Sequence, residues 1–272
     1  MILKRHLWLM LTLSLTLLIS LRVAHAQDDD LPLELTRLNP GEPAESTFTD
    51  NLNGMLFMFL GSAGDTVSVN MTQTTPELDP FVVLLGPDGR VLASDDDSGE
   101  VLLAAAISDV ELPVDGQYLV FATASQALLA PDSYGFADEQ RFSVTVTGHT
   151  APADTPTPLA LEAIQPGETL DLEAELAQPV DYILLAGDAD QAITLTMQSA
   201  AFDTLLLLFD ETGALLAGND DIDRGAGNFD SRLNDVTLPE EGDYLVLAAP
   251  FNFPLGARPR YDASGPYTLT LD

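Results

Sequence analysis

The chain has 272 residues, no cysteine, and 43 acids against ten basic residues, for a net charge of −33. The length allows about two domains, and a hydrophobic content of 46% is enough for folded cores, which excludes a disordered chain. The charge disfavours nucleic acid and anionic lipid surfaces as partners, and the missing cysteine excludes disulfides, a thiol nucleophile and a lipobox.

In chain order, residues 1–26 read as a secretory signal. Lys4 and Arg5 form the basic start, Leu7 to Leu21 is an apolar run, and Ala24-His25-Ala26 is a cleavage site of A-x-A type. An uncleaved membrane anchor is the alternative reading. Cleavage removes Lys4, Arg5 and Arg22 and leaves seven arginines, no lysine and a net charge of −36. No membrane span is expected after cleavage, and the product is expected outside the cell or in the cell envelope. Such a field favours divalent cations or basic surfaces as partners, although acidity also serves solubility alone.

The rest of the chain repeats itself. Leu112-Pro113-Val114-Asp115-Gly116-Gln117-Tyr118 returns as Leu238-Pro239-Glu240-Glu241-Gly242-Asp243-Tyr244, an offset of 126 residues. Leu84 to Asp97 returns as Leu208 to Asp221, at an offset of 124. Residues 32–148 and 159–272 therefore read as two copies of one domain. Residues 149–158, rich in Pro and Thr, read as an extended linker.

Short strands separated by turns run through both copies. In the first they are Met55–Leu60, Thr66–Met71, Phe81–Leu85, Val91–Ala93, Leu102–Val110, Gln117–Thr123 and Arg141–Thr147. In the second they are Tyr182–Ala186, Ala192–Met197, Leu205–Phe209, Ala214–Ala217, Arg232–Leu238, Asp243–Ala249 and Tyr267–Leu271. Phe81–Leu85 is apolar at every position, which predicts a central strand. No helical period stands out beyond the signal. The expected class is all-β, with two tandem antiparallel β-sandwiches.

The order of these elements resembles the bacterial pre-peptidase C-terminal domain. The residues that carry the resemblance are Gly64-Asp65, Leu78-Asp79-Pro80-Phe81, Asp88-Gly89, Asp95-Asp96-Asp97, and Leu112-Pro113 with Gly116 and Tyr118. In the second copy they are Gly187-Asp188, Phe202-Asp203, Thr212-Gly213, Asn219-Asp220-Asp221, and Leu238-Pro239 with Gly242 and Tyr244. The resemblance implies a jelly-roll-like sandwich with an accessory role beside secreted proteases, sometimes in matrix binding, and calcium in related collagen-binding modules. Here the copies follow the signal directly, which points to a role apart from a covalently attached protease. A separately encoded protease remains a candidate partner.

Two sets of residues could carry chemistry. Asp79, Asp95 and Asp97 in the first copy, and Asp203, Asn219, Asp221 and Asp223 in the second, supply the hard oxygens that calcium needs. The competing reading is that they cap backbone amides in turns. The loops Gln126–Gln140 and Pro250–Ser264 differ between copies. The second places Phe251, Phe253, Arg258, Arg260 and Tyr261 together, a composition suited to contacting a peptide or polysaccharide. The competing reading folds those aromatics back onto the sandwich edge. Tyr118 and Tyr244 read as structural tyrosine corners. Catalysis has little to work with, since His149 is the one histidine left after cleavage and no Ser-His-Asp set can form within a domain. The expected function is thus a secreted, non-catalytic binding or accessory protein. A carbohydrate-binding protein is the first rival and a carboxylate-based hydrolase the second.

Overall fold

The computed structural model describes residues 31–49, 53–100, 103–129, 135–136, 138–253 and 263–272. Residues 1–26, expected to be a signal sequence, and Arg258, Arg260 and Tyr261 lie outside the described residues.

The first half contains β1 (Thr36–Arg37), β2 (Ala44–Phe48), β3 (Gly54–Gly61), β4 (Thr66–Gln73), β5 (Pro80–Leu85), β6 (Val91–Asp95), β7 (Ala105–Glu111), β8 (Gly116–Ala124), a short helix α1 (Ser125–Leu129) and β9 (Gln140–Thr147). The second contains β10 (Leu161–Ala163), β11 (Thr169–Ala174), β12 (Asp181–Gly187), β13 (Ala192–Gln198), β14 (Thr204–Phe209), β15 (Leu215–Asn219), β16 (Ser231–Thr237), β17 (Gly242–Pro250) and β18 (Gly265–Leu271). One 3₁₀ turn, Arg224–Ala226, lies between β15 and β16.

Four sheets form, in two matching pairs. The order β1-β3-β8-β5-β6 recurs as β10-β12-β17-β14-β15, and β2-β9-β4-β7 recurs as β11-β18-β13-β16. Pairing is antiparallel except for β1 with β3 and β10 with β12. The strands missed by the sequence reading are β1, β2, β10 and β11. They are sheet-edge strands with mostly polar, partly exposed residues, so they carry little apolar signal.

Each five-stranded sheet is covered on both faces. Alternate residues of β5 divide between two cores: Val82 and Leu84 face the core of the first sandwich, and Phe81, Val83 and Leu85 face a second apolar layer. In β14, Leu206 and Leu208 face the core of their own sandwich, and Leu205, Leu207 and Phe209 face that same second layer. The period-two geometry of a strand makes this division. The two five-stranded sheets therefore pack against each other, giving four layers of sheet around three apolar cores. That explains why β5 and β14 are apolar at nearly every position.

The contact between halves is reciprocal. The Val180 amide donates to the Gly89 carbonyl (3.3 Å) in the β5–β6 hairpin, and the Leu56 amide donates to the Gly213 carbonyl (2.8 Å) in the matching β14–β15 hairpin. Tyr182 Oη donates to the Gly86 carbonyl at 2.9 Å. Val180 adjoins the start of β12, which lies beside the end of β17. The hairpin end of one sandwich thus sits beside the loop end of the other, and the two loop ends face away from each other. The Pro/Thr stretch is strapped along the first sandwich. Thr150 N donates to Asp65 Oδ2 (2.6 Å), Thr157 N to the Asp115 carbonyl (2.8 Å), and Leu159 N to Gln117 Oε1 (3.0 Å).

Candidate functional site

Three of the connections at the loop end of each sandwich carry the expected site residues or their partners. They are β4–β5, β6–β7 and β8–β9 in the first, and β13–β14, β15–β16 and β17–β18 in the second. Backbone bonds tie them together: Ser125 N donates to the Asp79 carbonyl at 2.9 Å, and Phe251 N to the Asp203 carbonyl at 2.8 Å. Asp79 and Asp203 each stand one residue before the central strands β5 and β14, so rigid elements fix their backbones.

Three of the seven expected ligands are occupied as caps. Asp95 Oδ2 accepts from Ser98 N (2.9 Å) and Ala106 N (2.8 Å). Asn219 Oδ1 does the equivalent work with Arg232 N at 2.7 Å, and its amide donates to the Asp221 carbonyl at 3.1 Å. Asp223 Oδ1 accepts from Ala226 N at 3.0 Å and starts the 3₁₀ turn. The spacing argument that grouped Asn219, Asp221 and Asp223 ran along the chain, whereas these side chains answer nearby amides.

The remaining four come together in matched pairs. In the first copy Asp97, with Asp96, lies close enough to Asp79 to raise its carboxyl, behind the larger effect of burial. Gln126 Nε2 on α1 donates to Asp79 Oδ2 at 3.0 Å and opposes that rise. Asp96 and Asp97 are exposed. In the second copy burial, then Asp221, then Asp220 push the Asp203 carboxyl up to about 6, with Arg224 acting the other way. Here Asp220 is buried, and the Asp221 side chain is only 10% exposed. Asp221 Oδ2 lies 3.6 Å from Arg224 Nε. Asp203 Oδ1 and Asp221 Oδ1 are buried without a hydrogen-bond donor.

Buried carboxylate oxygens without donors are costly. A hard cation is one occupant that would offset the cost, since calcium and magnesium take oxygen ligands. Among the described residues no three Asp, Glu, His or Cys side chains converge as a metal-binding set. A cation held by Asp203 and Asp221 would complete its shell with carbonyl oxygens and water.

The offset between copies marks this place in the sequence. It is 126 through β4 and β13, becomes 124 at Asp79 and Asp203, and returns to 126 at Ala105 and Ser231. Both changes in length fall in loops flanking the paired acids. Sequence reasoning missed Gln126 and the burial of Asp220, and the second of these offset changes was the available signal.

The described contact aromatics, Phe251 and Phe253, pack inward. Phe253 is buried in the apolar layer between the halves, and Phe251 is half-buried against it. Their apolar surface is used where the two sheets meet, between the halves rather than at the edge of one sandwich. A groove of about 440 Å³ on the second copy is lined by Asp171, Gln198, Asp230 and Tyr267 among others, and neither Asp203 nor Asp221 lines it. Tyr118 Oη donates to the Val114 carbonyl (2.7 Å) and Tyr244 Oη to the Glu240 carbonyl (2.6 Å), which makes both structural corners.

No family model and no curated protein matches the chain. Solved structures similar to it include the pre-peptidase C-terminal domain of a collagenase from Bacillus anthracis, at 10% identity and a TM-score of 0.33, over 43% of this chain and 99% of that one. A putative secreted protein from Eubacterium rectale is 9% identical with a TM-score of 0.22, over 80% of this chain and 68% of that one. The CUB1-EGF-CUB2 domain of human MASP-1/3 is 7% identical with a TM-score of 0.22, over 86% of this chain and all of that one.

Proposed function

We propose that this is a secreted, non-catalytic accessory protein whose two sandwiches present acidic loop ends to an extracellular protein or polysaccharide, with calcium ordering the loops. The observation that carries the calcium is the pair of buried, donorless carboxylate oxygens of Asp203 and Asp221. The binding reading draws support from the contrast between ends: loop lengths differ between copies at the acidic end, while turn lengths repeat at the other. Variable loops on a fixed sandwich are where binding residues commonly sit. The resemblance to domains that accompany secreted proteases suggests an extracellular protein as the target, and the burial of Phe253 leaves the sugar-contact reading with less exposed aromatic surface.

Thermal melting of the protein with calcium and with a chelator tests the metal. Binding to the native state raises the midpoint. An unchanged midpoint through about 1–10 mM calcium, a range that reaches weak extracellular sites, removes it. A panel of collagens, peptides and glycans then tests the target. Saturable binding to a glycan alone would replace the protein target with a polysaccharide.

A further inference from the structure

The two acidic loop ends are built from matching residues, yet they are not equivalent. Asp79 in the first copy receives a hydrogen bond from Gln126 Nε2 at 3.0 Å, and its neighbours Asp96 and Asp97 stand in solvent. Water hydrates those carboxylates at little cost. In the second copy the side chain of Asp221 is nine-tenths buried, its Oδ1 has no donor, and the Oδ1 of Asp203, whose carboxyl feels the Asp221 charge, has none either. The residue after Asp203 cannot help, because the Thr204 amide is committed to the Phe229 carbonyl at 3.1 Å. The cation at hand is Arg224, whose Nε approaches the other oxygen of Asp221 at 3.6 Å and whose side chain is 71% exposed. An exposed guanidinium at that distance screens weakly and leaves both inner oxygens unanswered.

The loop lengths fit this difference. Nine residues join β6 to β7, and eleven join β15 to β16. The longer loop turns back on itself through the 3₁₀ turn, with Asp223 N donating to the Asn228 carbonyl at 3.2 Å and Asn228 N to the Asp223 carbonyl at 2.9 Å. It covers Asp220 and Asp221 where the shorter loop leaves Asp96 and Asp97 open.

We infer that the protein has one divalent-cation site rather than two, formed in the second copy by Asp203 and Asp221, while in the first copy the Gln126 amide takes the place of the ion. This rests on the calcium reading above and narrows it to one loop end. The ion is of the hard, oxygen-seeking class, calcium or magnesium, because the side chains at the site offer only oxygen. Arg224 swings into solvent when the ion enters.

Calorimetric titration of the full chain with calcium chloride, and separately with magnesium chloride, tests the inference. One equivalent is expected. Asp203→Asn and Asp221→Asn should each weaken it by more than about 10-fold, as loss of groups at a metal site does. Asp79→Asn and Asp97→Asn should leave it unchanged. Melting without divalent ions supplies a second readout. Asp203→Asn should then melt at or above the wild type, because it removes a buried charge from a crowded acidic site, and should lose the calcium-dependent rise. A carboxylate that only supports the turn would lower the midpoint with and without the ion, which would overturn the inference. Two equivalents of calcium, or binding lost in Asp79→Asn and kept in Asp203→Asn, would overturn it while leaving the calcium reading standing. Absence of binding to wild type overturns both.

Discussion

The two ends of each sandwich obey different constraints. At the hairpin end, the turns after β3, β5 and β7 return with the same lengths after β12, β14 and β16. Gly89 and Gly213 show why. Both have positive φ (+78° and +88°), and a Cβ there would come within 1.8 Å of the Val180 carbonyl oxygen and 2.5 Å of the Leu56 carbonyl oxygen. These hairpins fasten one half to the other, so backbone contact fixes the glycine and the length of each. At the loop end, length, burial and hydrogen bonding differ between copies around the same acids. The acidic β6–β7 and β15–β16 loops, which place none of their described residues in the layer between the halves, are where the copies have diverged.

The comparison breaks most visibly at the layer between the sheets. Phe121 is buried there, edge-on to Phe209 with ring centroids 5.7 Å apart. Phe121→Ala should cost about 3–5 kcal/mol. Urea unfolding should show one transition shifted as a whole, whereas two separate transitions would mean that the layer does not join the halves.

Gly89→Ala should cost more than about 2 kcal/mol, since a strained φ and a backbone clash add. Gly64→Ala, also at positive φ (+83°) but with open space around it, should cost only about 1–2 kcal/mol. Equal costs would show that backbone strain alone, and not the fastening, fixes the hairpin glycine.

The tyrosine corners should respond alike. Tyr118→Phe and Tyr244→Phe each remove a hydroxyl bonded to a carbonyl four residues back, for about 1 kcal/mol. Calcium affinity should be unmoved by either change, because both corners lie at the hairpin end.

The smallest effect concerns His149, which begins the strap. Its Nδ1–H donates to the Leu60 carbonyl at 2.9 Å, its Nε2 is buried without a partner, and its ring lies 4.8 Å from that of Phe59. Burial holds its pKa below the usual value; the Leu60 carbonyl and Asp65 act against that shift, and Arg37 adds to it. The folded state therefore keeps His149 neutral where the unfolded state takes a proton. Stability should fall as pH drops below about 6.5, by at most about 1.4 kcal/mol per pH unit from this residue. Denaturant midpoints from pH 7.5 to pH 5 should show that part of the slope disappear in His149→Gln.

Much of the fold was legible because strands announce themselves by period. Phe81–Leu85, apolar throughout, stood out as a central strand, and Leu205–Phe209 as its counterpart in the second copy. β1, β2, β10 and β11 did not, being polar edges whose place depends on the neighbour they pair with. The acids were legible as clusters but not as roles. Asp95 and Asp221 look alike in a sequence, and only the fold shows that one caps two amides while the other is buried with an unanswered oxygen.

By itself the sequence determined the all-β class, the duplicated pattern of strands and turns, and the positions of the acids. Those follow from side-chain alternation and from the backbone freedom of a few glycines, which are local. Tertiary structure alone decided that the halves share an apolar layer, that the Pro/Thr stretch is a strap, that Phe253 packs inward and that the acidic ends face apart. Each of these depends on which surfaces meet across residues far apart in the chain. Burial on both faces and a reciprocal hairpin contact are properties of that meeting.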